Sequence, residues 1–367
     1  MPEHTQVAVL LGGKSAEHEV SLQSAKNILD AIDRERYDVL PIGLDKAGGW
    51  FLCDPLDFLE NPTDPRKIRL KVLEDNRLAV VPGKPGHPLV LLATGKSIGR
   101  IDVVFPVLHG PLGEDGTVQG LLKMVDAAFV GAGVLGSSVG MDKIVMKNLL
   151  LRAGVPVARF RGFSWHERGH IDFQAVSEDL GIPVFVKPAN LGSSVGVSKA
   201  ADPAEFEAAV REAFRYDTRI LIEEFVQGRE IECSVLGNEC PTASLPGEII
   251  PYREFYSYEA KYIDENGAGL VIPAQVAPGA VERVQELSIA AFKALQCEGM
   301  ARVDGFLVGD DRFVVNEINT IPGFTRISMY PKLWGATGIS YPELIDRLIR
   351  LALERHGREK LLETSFL

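Results

Sequence analysis

Arg302-Val303-Asp304-Gly305-Phe306-Leu307-Val308-Gly309-Asp310-Asp311-Arg312-Phe313-Val314-Val315-Asn316-Glu317-Ile318-Asn319 places two apolar runs on either side of a Gly-Asp-Asp turn. This is the pattern of a β-hairpin. With Asp310-Asp311 as a two-residue loop, Asp304 faces Glu317 and Arg302 faces Asn319, all four on one side because side chains alternate with period two. Like charges directly opposed across a ladder are destabilising unless a cation lies between them. Two carboxylates and an amide oxygen are the hard donors that Mg²⁺ takes together with substrate phosphates. A solvated polar face on an edge hairpin is the alternative, and the rest of the chain bears on the choice.

The chain has 367 residues, which implies two or three domains. A net charge of −11 with no basic block argues against a nucleic-acid partner. An anionic substrate would therefore be held by locally placed Lys and Arg. No apolar run reaches the ~18 residues of a membrane span, and Met1-Pro2-Glu3-His4 lacks a signal-peptide pattern, so a cytoplasmic protein without membrane insertion is expected. Cys53, Cys233, Cys240 and Cys297 have no metal-site spacing and read as reduced, mostly buried thiols.

The chain opens strand, glycine turn, helix: an apolar run from Val7 to Leu11, Gly12-Gly13, then Leu22, Ala25, Ile28, Leu29 and Ile32 at helical spacing. Further strands are expected at 38–42 and 102–108, giving an N-terminal α/β unit over residues 1–140, with 54–99 an insertion of little regular structure. Asp142 caps a helix carrying Ile144, Val145, Leu149 and Leu150, which stops at Gly154. Strands at 184–186, 219–223 and 230–236 suggest a central α+β unit over 141–240. Residues 241–367 hold the hairpin and close with a helix in which Ser340 and Glu343 form a capping box and Gly357 ends the run.

Gly12-Gly13-Lys14-Ser15 is not a Walker A loop, because Ala8 stands where the first glycine is required. Glu17, at the top of the first strand, could hold a substrate ammonium or merely favour a helix N-terminus. His109 begins a glycine-dense turn at the same sheet edge. Residues 190–196, Asn-Leu-Gly-Ser-Ser-Val-Gly, form a hairpin tip whose N–H groups and the Ser193 and Ser194 hydroxyls could fold over phosphates. Lys187 is the only charge in an apolar strand and would need an anionic partner if buried. With Lys143 and Lys261 it suggests a phosphate cradle. Glu223-Glu224-Phe225-Val226 followed by Glu230 suits an interdomain linker that holds a nucleoside, or a plain acidic loop. Pro322-Gly323 beside the hairpin exposes N–H groups that could form an oxyanion hole with Arg302. Tyr256, Tyr258 and Tyr262 with Gly267 suit a lid.

Taken together, the Gly-Gly-Lys-Ser-Ala-Glu-His-Glu-Val-Ser opening, His-Gly-Pro-Leu-Gly-Glu-Asp-Gly, Gly-Ser-Ser-Val-Gly-Val, Glu-Ala-Lys-Tyr, Ala-Arg-Val-Asp and Asn-Glu-Ile-Asn-Thr-Ile-Pro-Gly-Phe-Thr resemble the D-alanine–D-alanine ligases of the ATP-grasp superfamily. The resemblance implies a three-domain ATP-grasp architecture mixing α/β and α+β units, with ATP between the central and C-terminal domains. It implies ATP-dependent joining of two D-alanines through an acyl phosphate, two Mg²⁺ ions (replaceable by Mn²⁺) and a homodimer. Asp304, Glu317 and Asn319 would hold the metal. Lys143, Lys187 and Lys261 would bind phosphates, and Ser194, Glu223, Glu224, Phe225, Val226, Glu230 and Phe306 the rest of the nucleotide. Glu17 would take the first ammonium in a network with Ser193 and Tyr262, with His109 also at the substrate. Arg302 and the Gly323 N–H would stabilise the oxyanion, and Ser328 would bind the second carboxylate. One departure is Gly305, where the family usually carries an apolar side chain, which leaves the packing of the hairpin's outer face unexplained.

Overall fold

The computed structural model describes residues 4–251 and 268–363. The first strand, Thr5–Gly12, lies at the centre of a five-stranded sheet, parallel to Tyr37–Leu44 on one side and Val103–Pro106 on the other. Gly12 and Gly13 both adopt left-handed φ, 91° and 95°, and the Gly13 N–H bonds the Leu44 carbonyl at 2.8 Å. That turn delivers the chain into the His18–Ala31 helix, whose Leu22, Ala25, Ile28 and Leu29 are buried as their spacing predicts.

The insertion is more ordered than expected. Leu59–Glu60 pairs with Arg69–Leu70, and Leu78–Val80 with Leu89–Leu91. Phe58, Leu59 and Ile68 are buried in the same core as the central strand, while Leu78 and Leu89 join the core on the sheet's other face. Short strands between Pro and charged residues escape period-two reading because each has only two or three side chains to show it.

A four-stranded antiparallel sheet follows, Phe160–Ser164, Arg219–Glu224, Val184–Pro188 and Ser198–Ala200 in spatial order. The strand Arg229–Gly237, expected with this unit, instead pairs with Gly299–Val308 in a six-stranded sheet. The switch between sheets thus falls at residues 225–228, and the cleft between the two sheets is lined from both.

The last helix, Tyr341–Glu359, buries Leu344, Ile345, Leu348, Ile349 and Ala352 against the N-terminal sheet, so the two ends of the chain share one core. Its cap is only half the expected box. Ser340 Oγ accepts from the Glu343 N–H at 3.4 Å, but the Glu343 carboxylate is taken by Arg347. Gly357 does not stop the helix, which continues to Glu359, an exposed glycine costing too little to end a helix so well packed on its other face.

The hairpin itself corrects the sequence reading. Its strands are Gly299–Val308 and Arg312–Asn319, and Val308 faces Arg312 across a three-residue turn rather than a two-residue one. A bulge between Asp304 and Gly305 then restores the expected pairs, Asp304 with Glu317 and Arg302 with Asn319. The extra residue on the second strand is Asn316, so Asn316 and Glu317 both turn toward the cleft while Val315 stays buried. Gly305 is explained at the same place: a Cβ there would lie 2.5 Å from the Val314 carbonyl oxygen and 2.6 Å from the Phe313 ring, which occupies the space of the missing side chain. Gly305→Ala is expected to cost about 1–3 kcal/mol by overpacking. Thermal denaturation checks it, and an unchanged Tm would mean that the Phe313 ring yields freely.

Candidate active site

Two adjoining cavities meet at the hairpin. The larger, about 1200 Å³ with its open mouth, lies between the four- and six-stranded sheets. The smaller, about 770 Å³, opens toward the N-terminal unit. Ser193, Glu232 and Glu317 line both.

The larger cavity combines two lysines, several carboxylates and an apolar wall. Lys143 begins the Lys143–Arg152 helix, whose N-cap Asp142 accepts from the Ile144 and Val145 N–H groups. Lys143 Nζ lies 2.7 Å from the Leu191 carbonyl and 3.3 Å from Glu317 Oε2, tying the 190–196 loop to the hairpin. Ser193 and Ser194 at the tip of that loop have φ of 53° and 59°, a left-handed strain of the kind concentrated at ligand-gripping loops. Lys187 has the anionic partner that its apolar strand demanded: it pairs with Glu223 and donates to Asn316 Oδ1 at 3.3 Å. Burial alone would raise the Glu223 carboxyl, but Lys147 and Lys187 hold it down at about 2. Phe185, Phe225, Val226 and Phe306 form apolar walls, with Glu224 and Glu230 also in the lining, and Lys187 Nζ lies 5.7 Å from the Phe185 ring centroid. Glu224 is anchored by Arg159 at 2.7 Å.

The smaller cavity gathers Glu17, His109, Arg302, Asn319, Gly323 and Ser328. Glu17 precedes the first helix but makes no cap hydrogen bond; its carboxylate accepts from Ser193 Oγ at 2.5 Å. Glu17 thus stands at the helix N-terminus, as one sequence reading had it, and faces the cavity, as the other requires. Arg302 donates through Nε and Nη2 to both oxygens of Asp304, at 2.7 and 2.6 Å, and lies 2.8 Å from Glu232. The fork fixes the guanidinium plane at the junction of the cavities. Asn319 Nδ2 also donates to Asp304, at 2.8 Å.

The turn carrying Gly323 is held from the N-terminal unit. Ser24 Oγ accepts from the Phe324 N–H at 3.1 Å, and His109 Nδ1 lies 3.0 Å from the Ile321 carbonyl. A carbonyl can only accept, so Nδ1 carries the proton; Nε2, 3.4 Å from Ser24 Oγ, is then the acceptor. A neutral ring agrees with burial lowering the His109 pKa. Ser328 Oγ accepts from the Thr325 N–H at 2.9 Å, and a Cβ on Gly323 would lie 2.7 Å from that oxygen.

Sequence reasoning missed four charged or polar groups here: Glu114, Lys147, Glu232 and Asn316. Glu232 alternates with Glu230 on one strand, which was its only legible signal. Glu114 accepts from the Gly110 N–H at 2.7 Å and the Ile321 N–H at 3.3 Å. Part of the side chain is exposed, but the carboxyl end is enclosed, and burial with Glu17 nearby pushes it up to about 8. A carboxyl raised above its ordinary 4.5 gives stability that is complete below that value and is lost as pH rises to about 8. Glu114→Gln should therefore lose less stability than wild type across that window; parallel pH–Tm curves would contradict the shift. Lys261 and Tyr262, with Tyr256 and Tyr258, lie outside the described residues.

The family model described as D-ala D-ala ligase N-terminus matches residues 6–132, and that described as D-ala D-ala ligase C-terminus matches residues 149–350. The D-alanine–D-alanine ligase of Oceanobacillus iheyensis is 52% identical over 360 residues, 98% of each chain. D-alanine–D-alanine ligase A of Escherichia coli strain K12 is 50% identical over 363 residues, 99% of this chain and 100% of that one. Among solved structures, the D-alanine–D-alanine ligase from Coxiella burnetii superposes with a TM-score of 0.86 at 40% identity, covering 98% of this chain and 97% of that one. The VanG D-Ala:D-Ser ligase from Enterococcus faecalis gives 0.83 at 33%, covering 95% and 100%.

Proposed function

The chain belongs to the D-alanine–D-alanine ligase family, and from that premise we infer that it uses ATP to join two D-alanines into D-alanyl-D-alanine, a step of peptidoglycan precursor synthesis. The observation that carries the reading is Arg302 and Glu317 standing where a nucleotide-sized cleft meets a smaller polar cavity headed by Glu17.

In this reading the adenine lies between Phe185, Phe225, Val226 and Phe306, with Glu223, Glu224 and Glu230 on the nucleoside. Lys143, Lys187, Ser194 and, outside the described residues, Lys261 hold the phosphates. Phosphoryl transfer is chiefly positioning and charge neutralisation, so fixed cations matter more than an acid–base pair. Glu17, steadied by Ser193 and in the proposal also by Tyr262, takes the ammonium of the first D-alanine and turns its carboxylate toward the γ-phosphate. That carboxylate attacks phosphorus, giving D-alanyl phosphate and ADP. Ser328 takes the carboxylate of the second D-alanine, whose neutral amine attacks the acyl carbon. The oxyanion forms beside Arg302 and the Gly323 N–H, and phosphate leaves. His109 acts on the substrate through the turn that it fixes.

Asp304, Glu317 and Asn319 fit Mg²⁺ or Mn²⁺. Asp304 and Glu317 oppose each other in the ladder and Asn319 follows on that face, an all-oxygen set too small for a full protein cage and suited to an ion shared with phosphates and water. Two such ions would neutralise the charge that builds on the transferring phosphoryl group.

No helix of the described residues is long and apolar enough to cross a membrane. A cytoplasmic homodimer, its chain divided near residue 140 and, in place of the expected 240, near 225–228 where the sheets change, with no nucleic-acid or membrane partner, completes this reading. Release of phosphate from ATP that depends on added D-alanine, with D-alanyl-D-alanine as product, is the expected result. ATP hydrolysis indifferent to D-alanine would sink it.

A further inference from the structure

The Lys143–Arg152 helix buries the wrong residues for an amphipathic helix. Leu149 and Leu151 are exposed, whereas Lys147 is fully buried. Lys147 is not among the residues lining either cavity. Its Nζ lies 3.1 Å from Glu223 Oε2, while the other oxygen of that carboxylate, Oε1, takes Lys187. Burying an ammonium is costly, and a fully enclosed lysine behind a binding cleft calls for a reason.

The reason lies in the count of charges. Two lysines share one carboxylate; burial lowers the Lys147 pKa and Glu223 opposes that, so with Lys147 charged the chain Lys147–Glu223–Lys187 carries one positive charge in excess. Lys147 cannot reach the cleft, so the excess is presented at Lys187, which lines it and is steadied on its other side by Asn316. Without Lys147, both oxygens of Glu223 would serve Lys187 and the pair would be neutral.

We propose that Lys147 is a positioning residue for the nucleotide: by holding one oxygen of Glu223 it fixes the carboxylate and leaves the Lys187 charge available to phosphate. The inference rests on reading the larger cleft as the nucleotide site.

The test is calorimetric binding of a non-hydrolysable ATP analogue with Mg²⁺, and of adenosine, to the full-length protein. Lys147→Met should weaken the analogue about tenfold or more, the scale of a lost charged hydrogen bond, and leave adenosine within about twofold. Lys147→Gln, which keeps a polar end, replaces the methionine variant should that one not fold, and the same outcomes apply. Unchanged analogue binding in the single variant overturns the proposal. So does equal weakening of analogue and adenosine, since that means Lys147 acts by packing alone. A wild type that binds no analogue would instead sink the reading of the cleft, and this inference with it.

Discussion

Glu317→Gln is expected to lower turnover by about 10²–10³ while the fold survives, the loss usual when one fixed electrostatic group is removed from a transition state. Glu317 faces Asp304 across the ladder, sits 3.3 Å from Lys143 and lines both cavities. An amide of the same size can still accept from Lys143, so packing and the hairpin register are kept. What disappears is the negative charge that phosphate-bound cations would share. The rate at saturating ATP, D-alanine and Mg²⁺, measured beside a Tm within a few degrees of wild type, decides it. Near-normal turnover would remove Glu317 from the metal assignment.

Arg302→Met should be the most damaging change for rate and stability together. The guanidinium holds Asp304 through two hydrogen bonds and Glu232 through a third contact. Its removal leaves Glu232, Asp304 and Glu317 as three neighbouring carboxylates without that cation. Breaking a buried pair costs about 3–5 kcal/mol; the Arg302 side chain is 19% exposed, so the lower end applies. The rate should fall by a further ~10²–10³ if Arg302 faces the developing oxyanion. Arg302→Lys keeps the charge but not the planar fork, and should recover stability better than turnover. A lysine variant with full activity would show that charge alone is required.

The hairpin shows how far local reasoning reaches. Alternation paired Asp304 with Glu317 and Arg302 with Asn319 on one face, and the structure has the same pairs. The expected turn was one residue too short, and the bulge at Asn316 cancelled that error on the site side. A bulge leaves no mark in a run such as Phe313-Val314-Val315-Asn316, because apolar and polar residues there alternate in neither register. Its consequence, two consecutive polar side chains facing the cleft, was therefore invisible.

The sequence by itself determined the strand–turn–helix opening, the buried stripe of the first helix and the Asp142 cap. Each depends on contacts within a few residues or on a strict period, and backbone geometry enforces both. Only the tertiary structure decided that Arg229–Gly237 joins the second sheet, that Glu232 rather than a solvent counter-ion meets Arg302, and that the helix after Asp142 buries Lys147 and exposes Leu149. A charge or an apolar side chain carries no sign of the partner that makes its burial affordable. That partner comes from another strand, Glu223 for Lys147, and is fixed only when the two elements pack.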